Sequence, residues 1–151
     1  MYIKDIMTKQ VITVGEDDTV EKCANLLITY NLSGLPVIDD DGKVKGIVTE
    51  GDLIRRAAKI DGPATLEVLG GIIYLESPKK FMEEIKRSMA NIARDIMTKN
   101  VISVNPDKTI EDAATLLVQK NIKRLPVIDK EGNLVGIVSR KDIMKYLFNG
   151  E

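Results

Sequence analysis

There is no histidine in this chain of 151 residues, no tryptophan, and a single cysteine, Cys23. Without histidine, imidazole acid–base catalysis and Ser-His-Asp triads are excluded. With only one cysteine beside that, zinc sites of the Cys/His kind are excluded too. A lone thiol forms no intramolecular disulfide and fits a reducing cytoplasm. Two Phe and four Tyr are too few for the stacking platforms of single-strand nucleic-acid binders. Lys plus Arg (22) nearly balance Asp plus Glu (23), so the net charge of −1 exerts no bulk pull toward nucleic acid or anionic membrane. No apolar run approaches the ~20 residues of a membrane span. Lys4 and Asp5 interrupt the N-terminus, where a signal peptide needs an apolar stretch. Neither a P-loop, a nucleophile elbow nor a carboxylate pair at catalytic spacing is present, so no enzyme is expected.

What the chain does have is an internal repeat. Residues 5–58 align with 95–148 without a gap, at an offset of 90, and about 25 of the 54 positions are identical. "DIMTKQVITV" answers "DIMTKNVISV", and "LPVIDDDGKVKGIV" answers "LPVIDKEGNLVGIV". Each copy is short for an independent domain, so the two are expected to pack as pseudo-symmetric halves. Within each, Thr19 or Thr109 is placed to cap a helix. Val20, Cys23, Ala24 and Leu27 then follow at the spacing of a buried helical face, as do Ile110, Ala113, Ala114 and Leu117. Cys23 aligns with Ala113, which reads it as a small core residue. Asn31 and Asn121 tolerate the left-handed conformation that ends such helices. Two strands joined by "DDG" or "EGN" form a hairpin. A last helix, from about Gly51 or Lys141, carries Leu53, Ile54 and Ala57, or Ile143, Met144 and Leu147. The order per copy is strand, helix, strand, strand, helix.

Residues 59–94 belong to neither copy and read as a linker. "DGPA" (61–64) breaks the preceding helix. "LGGIIYLE" (69–76) is apolar and hinged on glycine. A helix is expected over about 78–93, capped by Ser77, with Phe81, Ile85, Met89 and Ile92 as its apolar stripe. That stripe, with Ile72, Ile73 and Tyr74, serves either packing on the two copies or contact with a partner chain.

The segments "GIVTEGD" and "GIVSRKD" carry the chemistry. Thr49 closes a strand and Asp52 stands three residues on; Ser139 and Asp142 repeat the arrangement. One reading is structural, a capping box with Asp in place of Glu or Gln. The other is a nucleotide site. A helix N-terminus attracts phosphate, a hydroxyl adds a bond to it, and a carboxylate one turn in can accept from both hydroxyls of a ribose. Ile47-Val48 and Ile137-Val138 could then line a slot for a flat base.

Taken together, the repeated "DIMT…V", "LPVID" and "GIVT/S-x-x-D" segments in this order resemble the CBS domain family, named for cystathionine β-synthase. The resemblance covers residues 1–58 and 91–151 and implies a tandem pair, a Bateman module. The implied fold class is mixed α/β: two pseudo-symmetric β-α-β-β-α motifs, 1–58 and 95–151, packed through their sheets with a helical linker over 59–94. Implied too are two clefts for adenosine compounds, AMP, ADP or ATP, with S-adenosylmethionine and its relatives as the alternative. By that resemblance Asp52 and Asp142 bind ribose, and Thr49 and Ser139 contact phosphate or ribose. Ile12 and Ile102 line the adenine pocket, with Met7 and Met97 nearby. Ser33-Gly34 and Lys123-Arg124 face the base edge or the phosphates.

The copies differ in charge. Ser33-Gly34 and Glu50-Gly51 in the first correspond to Lys123-Arg124 and Arg140-Lys141 in the second. These four cations either hold phosphate, leaving the first cleft to a less charged compound, or form an ordinary solvated surface. No cofactor and no metal are expected, only a regulatory adenine nucleotide. The resemblance further implies a homodimer and a protein effector regulated in trans. The competing reading is a dimerisation scaffold with vestigial clefts. Neither membrane nor nucleic acid is an expected partner.

Overall fold

The computed structural model describes residues 1–58, 65–68, 71–74 and 78–150. The first copy contributes α1 (Ile3–Ile6), β1 (Val14–Gly15), α2 (Val20–Thr29), β2 (Gly34–Ile38), β3 (Val44–Thr49) and α3 (Glu50–Ala57). The linker holds an antiparallel hairpin, β4 (Thr65–Val68) and β5 (Gly71–Tyr74), and α4 (Pro78–Ser88). The second copy contributes α5 (Ala93–Ile96), α6 (Ile110–Gln119), β6 (Arg124–Ile128), β7 (Leu134–Ser139) and α7 (Arg140–Asn149).

The caps form where hydroxyls precede apolar periodicity. Thr19 Oγ1 accepts from the Lys22 N–H at 3.1 Å, and Thr109 Oγ1 from the Asp112 N–H at 3.1 Å. Val20, Cys23 and Leu27 on α2, and Ile110, Ala113 and Leu117 on α6, turn inward and are buried. Both helices end at an asparagine with φ 51°, Asn31 and Asn121. The sheets pair in the same register: Leu35 opposite Val48, Leu125 opposite Val138. Their turns need φ of 78° at Gly42 and 85° at Gly132, which glycine adopts without a Cβ penalty. In the first sheet β1 runs parallel to β2; in the second this strand shrinks to one parallel bridge, Val104 to Val127.

The cores do not follow the sequence boundary of the repeat. Ile3 of α1 lies wholly buried among Ile110, Leu117, Leu125 and Val138 of the second copy. Ala93 and Ile96 of α5 lie in the core of the first copy. Each entry segment therefore crosses to the other half. Its backbone is tied down there: Ile3 N–H donates to the Lys108 carbonyl (2.9 Å) and Ala93 N–H to that of Asp18 (2.8 Å). Lys4–Asp107 (2.8 Å) and Arg94–Asp17 (2.9 Å) are the matching ion pairs.

One expectation needs correction. The helix expected over 78–93 ends at Ser88. Asn91 and Ile92 are instead drawn onto α2, where the Val20 N–H donates to Asn91 O at 2.9 Å and Ile92 bridges Thr19. Met89 is consequently exposed, while Phe81 and Ile85 stay half-buried. On the last helix of each copy, Leu53 and Ile143 face the core, but Ile54, Met144 and Leu147 are exposed. The "DGPA" break and the Ser77 cap lie outside the described residues.

Candidate functional site

At the β3–α3 junction the capping box is complete. Thr49 Oγ1 accepts from the Asp52 N–H at 3.2 Å. Asp52 Oδ2 accepts from the Thr49 N–H (2.8 Å) and from its hydroxyl (3.0 Å). The β7–α7 junction repeats this: Ser139 Oγ accepts from the Asp142 N–H at 3.2 Å, and Asp142 Oδ2 accepts from the Ser139 N–H (2.8 Å) and hydroxyl (2.7 Å). The structural reading of the repeated segment thus holds, and it consumes one oxygen of each carboxylate.

The second oxygens differ. Asp52 Oδ1 accepts from Arg55 Nη2, and Asp52 is 2% exposed. Asp142 Oδ1 has no hydrogen-bond partner among the described residues, and Asp142 is half-buried.

The crossing of the entry segments builds two hybrid clefts. Cleft A, about 400 Å³, lies between the Thr49 junction of the first copy and the Asn100–Ile102 segment of the second. Cleft B, about 450 Å³, lies between the Ser139 junction of the second copy and the Gln10–Ile12 segment of the first. Both volumes suit a small organic ligand. The floors are apolar: Ile47, Val101, Ile102 and Ile122 in A, and Val11, Ile12, Leu32 and Ile137 in B.

Most residues singled out from sequence come together here. Thr49 and Ile102 line cleft A. Ile12, Gly34, Ser139, Arg140, Lys141 and Asp142 line cleft B. Ser33, Lys123 and Arg124 line both. Five are elsewhere. Val48 and Val138, expected beside Ile47 and Ile137 in the slot for a base, alternate to the other face of their strands and are buried in the two cores. Asp52 is beneath the wall of cleft A, covered by Arg55. Met7 and Met97 pack on the strands behind the clefts, Met7 on Gly136 and Met97 on Gly46, where an added Cβ would stand 2.5 Å from each sulfur.

Of the cations, Arg124 lies at the boundary between the clefts. Its Nε donates to Ser33 Oγ at 3.1 Å, with Nη2 donating to the same oxygen. It fills the space left by Gly34, whose Cβ would come 2.6 Å from Nη1. Burial pushes the Arg124 guanidinium below its ordinary pKa, against the pull of Glu50 and Asp52. Lys123 Nζ reaches Glu50 at 3.4 Å. Arg140 is turned back onto the end of α6, its Nε donating to the Ile122 carbonyl at 2.8 Å. Lys141 is exposed and makes no ion pair among the described residues. Arg55 in cleft A escaped the sequence reading. Its signal is its place three residues after Asp52, with Gly51 immediately before that acid.

The sequence profile of the CBS domain matches residues 3–59 and 93–149. Among curated proteins, protein MJ1426 of Methanocaldococcus jannaschii is 40% identical over 154 residues, covering 97% of this chain and 91% of that one. Inosine-5'-monophosphate dehydrogenase of the same organism is 32% identical over 93% of this chain, but the match spans only 22% of that enzyme. Among solved structures, CBSX2 in complex with AMP superposes with a TM-score of 0.76 at 26% identity, covering 98% of this chain and 96% of that one. The CBS domain pair of protein MJ0100, in complex with 5'-methylthioadenosine and S-adenosyl-L-methionine, gives 0.75 at 26% identity, covering 100% and 98%.

Proposed function

The chain belongs to the CBS domain family, and on that premise we propose that it is a non-enzymatic regulatory module binding adenosine compounds in clefts A and B. The observation that carries this reading is the open oxygen of Asp142 in cleft B, with Ser139 beside it and Ile12 on the opposite wall. A carboxylate oxygen without a partner, beside a hydroxyl at a helix start, suits a ribose next to a phosphate. The apolar pair Ile12 and Ile137 suits the faces of an adenine. Lys141 and Lys123 are placed for phosphate in cleft B, and Arg124 serves whichever cleft is filled. AMP in CBSX2 supports the nucleotide, as a property of that protein. No cofactor or metal enters the scheme.

A second reading, an S-adenosylmethionine-type sensor, is favoured by the cations themselves. Arg124, Lys123 and Arg140 have partners that a phosphate would have to displace, whereas Lys141 has none among the described residues, so the cost of adding a phosphate favours a ligand without one. The ligands of the MJ0100 pair lean the same way.

Regulation on this reading acts on a protein effector in trans, from the cytoplasm and through a homodimer. The dimer surface is the exposed apolar face of α2, α3, α6 and α7: Ile28, Ile54, Val118, Met144 and Phe148. Among the described residues no helix is long and apolar enough to cross a membrane.

The test is a thermal-shift panel on ligand-free protein with AMP, ADP, ATP, S-adenosylmethionine, 5'-methylthioadenosine and GTP. A ligand at 100 times its Kd adds about 2.7 kcal/mol, and each kcal/mol moves Tm by roughly 2–4 °C at this size. A shift of several degrees with an adenosine compound and not with GTP, reduced in Asp142→Ala, is expected. No shift with any of them leaves the scaffold reading.

A further inference from the structure

Asp52 and Asp142 occupy equivalent positions in the repeat, yet they are not equally available. Each gives Oδ2 to its own capping box. A diol recognised by either must therefore be held on Oδ1. In cleft B that oxygen is open; in cleft A it is taken by Arg55. We propose that Arg55 is a latch that sets the order of the two clefts: a ribose binds first in cleft B, and in cleft A only after Arg55 is displaced from Asp52. The proposal rests on the adenosine-binding reading above and assigns it an internal hierarchy.

Three further observations bear on the latch. Arg55 lies back across the first turn of α3, over Gly51, where an added Cβ would stand 3.3 Å from Nη1. Gly51 thus opens the path that lets the guanidinium reach Asp52. Its equivalent in the second copy is Lys141, whose side chain starts in that same space. The equivalent of Arg55 is Lys145, which is exposed and makes no bond to Asp142. Replacing both members of the pair, Gly by Lys and Arg by Lys, thus accompanies the open acid.

The physical consequence has a direction. Asp52 at 2% exposure has little water to fall back on, so its bond to Arg55 is charge-assisted and poorly replaced by solvent. Arg55 itself is half exposed, 54% at its side chain, which screens the pair and keeps the latch breakable. A ribose hydroxyl, neutral and singly donating, replaces a cation on that oxygen. Adenosine, which offers the freed Arg55 no phosphate in return, should feel the full penalty.

The experiment is calorimetric titration of the ligand-free full chain with adenosine and AMP, using variants that leave one cleft intact. Asp142→Ala isolates cleft A and Asp52→Ala isolates cleft B. Adding Arg55→Ala to Asp142→Ala is expected to strengthen adenosine binding by about tenfold, the size of a half-screened charge-assisted bond. Adding it to Asp52→Ala is expected to leave adenosine affinity in cleft B unchanged, because Arg55 lines cleft A only; a gain there too would mean a general effect on the fold rather than release of Asp52. Gly51→Lys, which fills the path of the guanidinium, should reproduce the gain in cleft A should Arg55→Ala fold poorly. An unchanged or weakened cleft A in both variants, with cleft B still binding, overturns the latch and leaves the adenosine reading standing. Absence of any adenosine or AMP binding in the wild type and in every variant overturns both.

Discussion

Thr8 and Ile137 exchange both backbone hydrogen bonds, at 2.9 and 3.0 Å, although they belong to different copies of the repeat. Thr98 and Ile47 do the same at 2.9 and 3.0 Å. These reciprocal bridges stitch the entry segment of each copy to the last strand of the other. They carry Gln10–Ile12 to the Ser139 junction and Asn100–Ile102 to the Thr49 junction. Neither cleft exists within one copy, so ligand binding and the association of the halves are linked by mass action.

Two glycines make that crossing fit. A Cβ at Gly136 would meet Met7 Sδ at 2.5 Å and the Thr8 carbonyl at 3.0 Å; at Gly46 it would meet Met97 Sδ at 2.5 Å and the Thr98 carbonyl at 2.9 Å. Gly136→Ala and Gly46→Ala should each destabilise by about 1–3 kcal/mol, as overpacking does. Urea denaturation reads this directly. Adding Met7→Ala to Gly136→Ala relieves the sulfur but not the backbone carbonyl, so only part of the loss should return. Full recovery would show that the bridge itself tolerates a side chain.

Much of this fold was legible locally. Thr19, Thr109, Asn31 and Asn121 stand where helix ends demand an acceptor or a left-handed residue, and each is found in that role. The crossing was not legible. "DIMT" occurs in both copies, so pattern alone cannot say which sheet receives which segment. Helices of four residues such as α1 and α5 also show no periodicity to read. The closed state of Asp52 was missed because it depends on where the long Arg55 side chain comes to rest, and Arg55 lies outside the repeated heptad. Ile54 and Met144 sit at apolar positions of their helices, but the core-facing side of each is already supplied by Leu53 and Ile143.

Acid should loosen the hairpin turns. Asp39 is held below the usual carboxylate range chiefly by the Lys43 N–H, and Asp129 chiefly by the Asn133 N–H. A carboxylate depressed in the folded state adds stability above its unfolded value, about 3.9, and loses it as pH falls through the folded value. Denaturant midpoints should therefore drop between pH 5 and the low-pH limit of folding by more than in Asp39→Asn/Asp129→Asn, whose turns keep a neutral acceptor. Equal drops in both proteins would remove these turns from the acid response.

Arg124 borders both clefts, so its loss should be felt in both. Arg124→Ala is expected to weaken AMP more than adenosine, because only AMP offers the guanidinium a phosphate. One charge-assisted hydrogen bond corresponds to about 1.5–3 kcal/mol, or roughly ten- to a hundredfold in Kd. Stability should change little by comparison, since Ser33 is only half-buried and its hydroxyl can turn to water. Titration with both ligands decides it. Equal weakening of both would place Arg124 among the groups that shape the clefts rather than those that read charge.

The apolar face of the last helices gives the proposed dimer its own test. Phe148 is 82% exposed, and Met144 and Leu147 lie within one turn of it on α7. Ile54 on α3 is the repeat's equivalent of Met144 and is exposed like it, whereas Leu147 and Phe148 correspond to Ala57 and Ala58. Burying one large apolar side chain contributes about 1.5–3 kcal/mol, and in a symmetric dimer each substitution is counted on both protomers. Phe148→Asp should therefore weaken association by about 3–6 kcal/mol, roughly 10²- to 10⁴-fold in Kd. Light scattering coupled to size exclusion should show twice the chain mass for wild type and the single chain mass for the variant. The monomer should stay folded, because Phe148 contributes little to its own core. A wild type of single chain mass at high concentration would remove the homodimer from the proposed function and leave this face to a different partner.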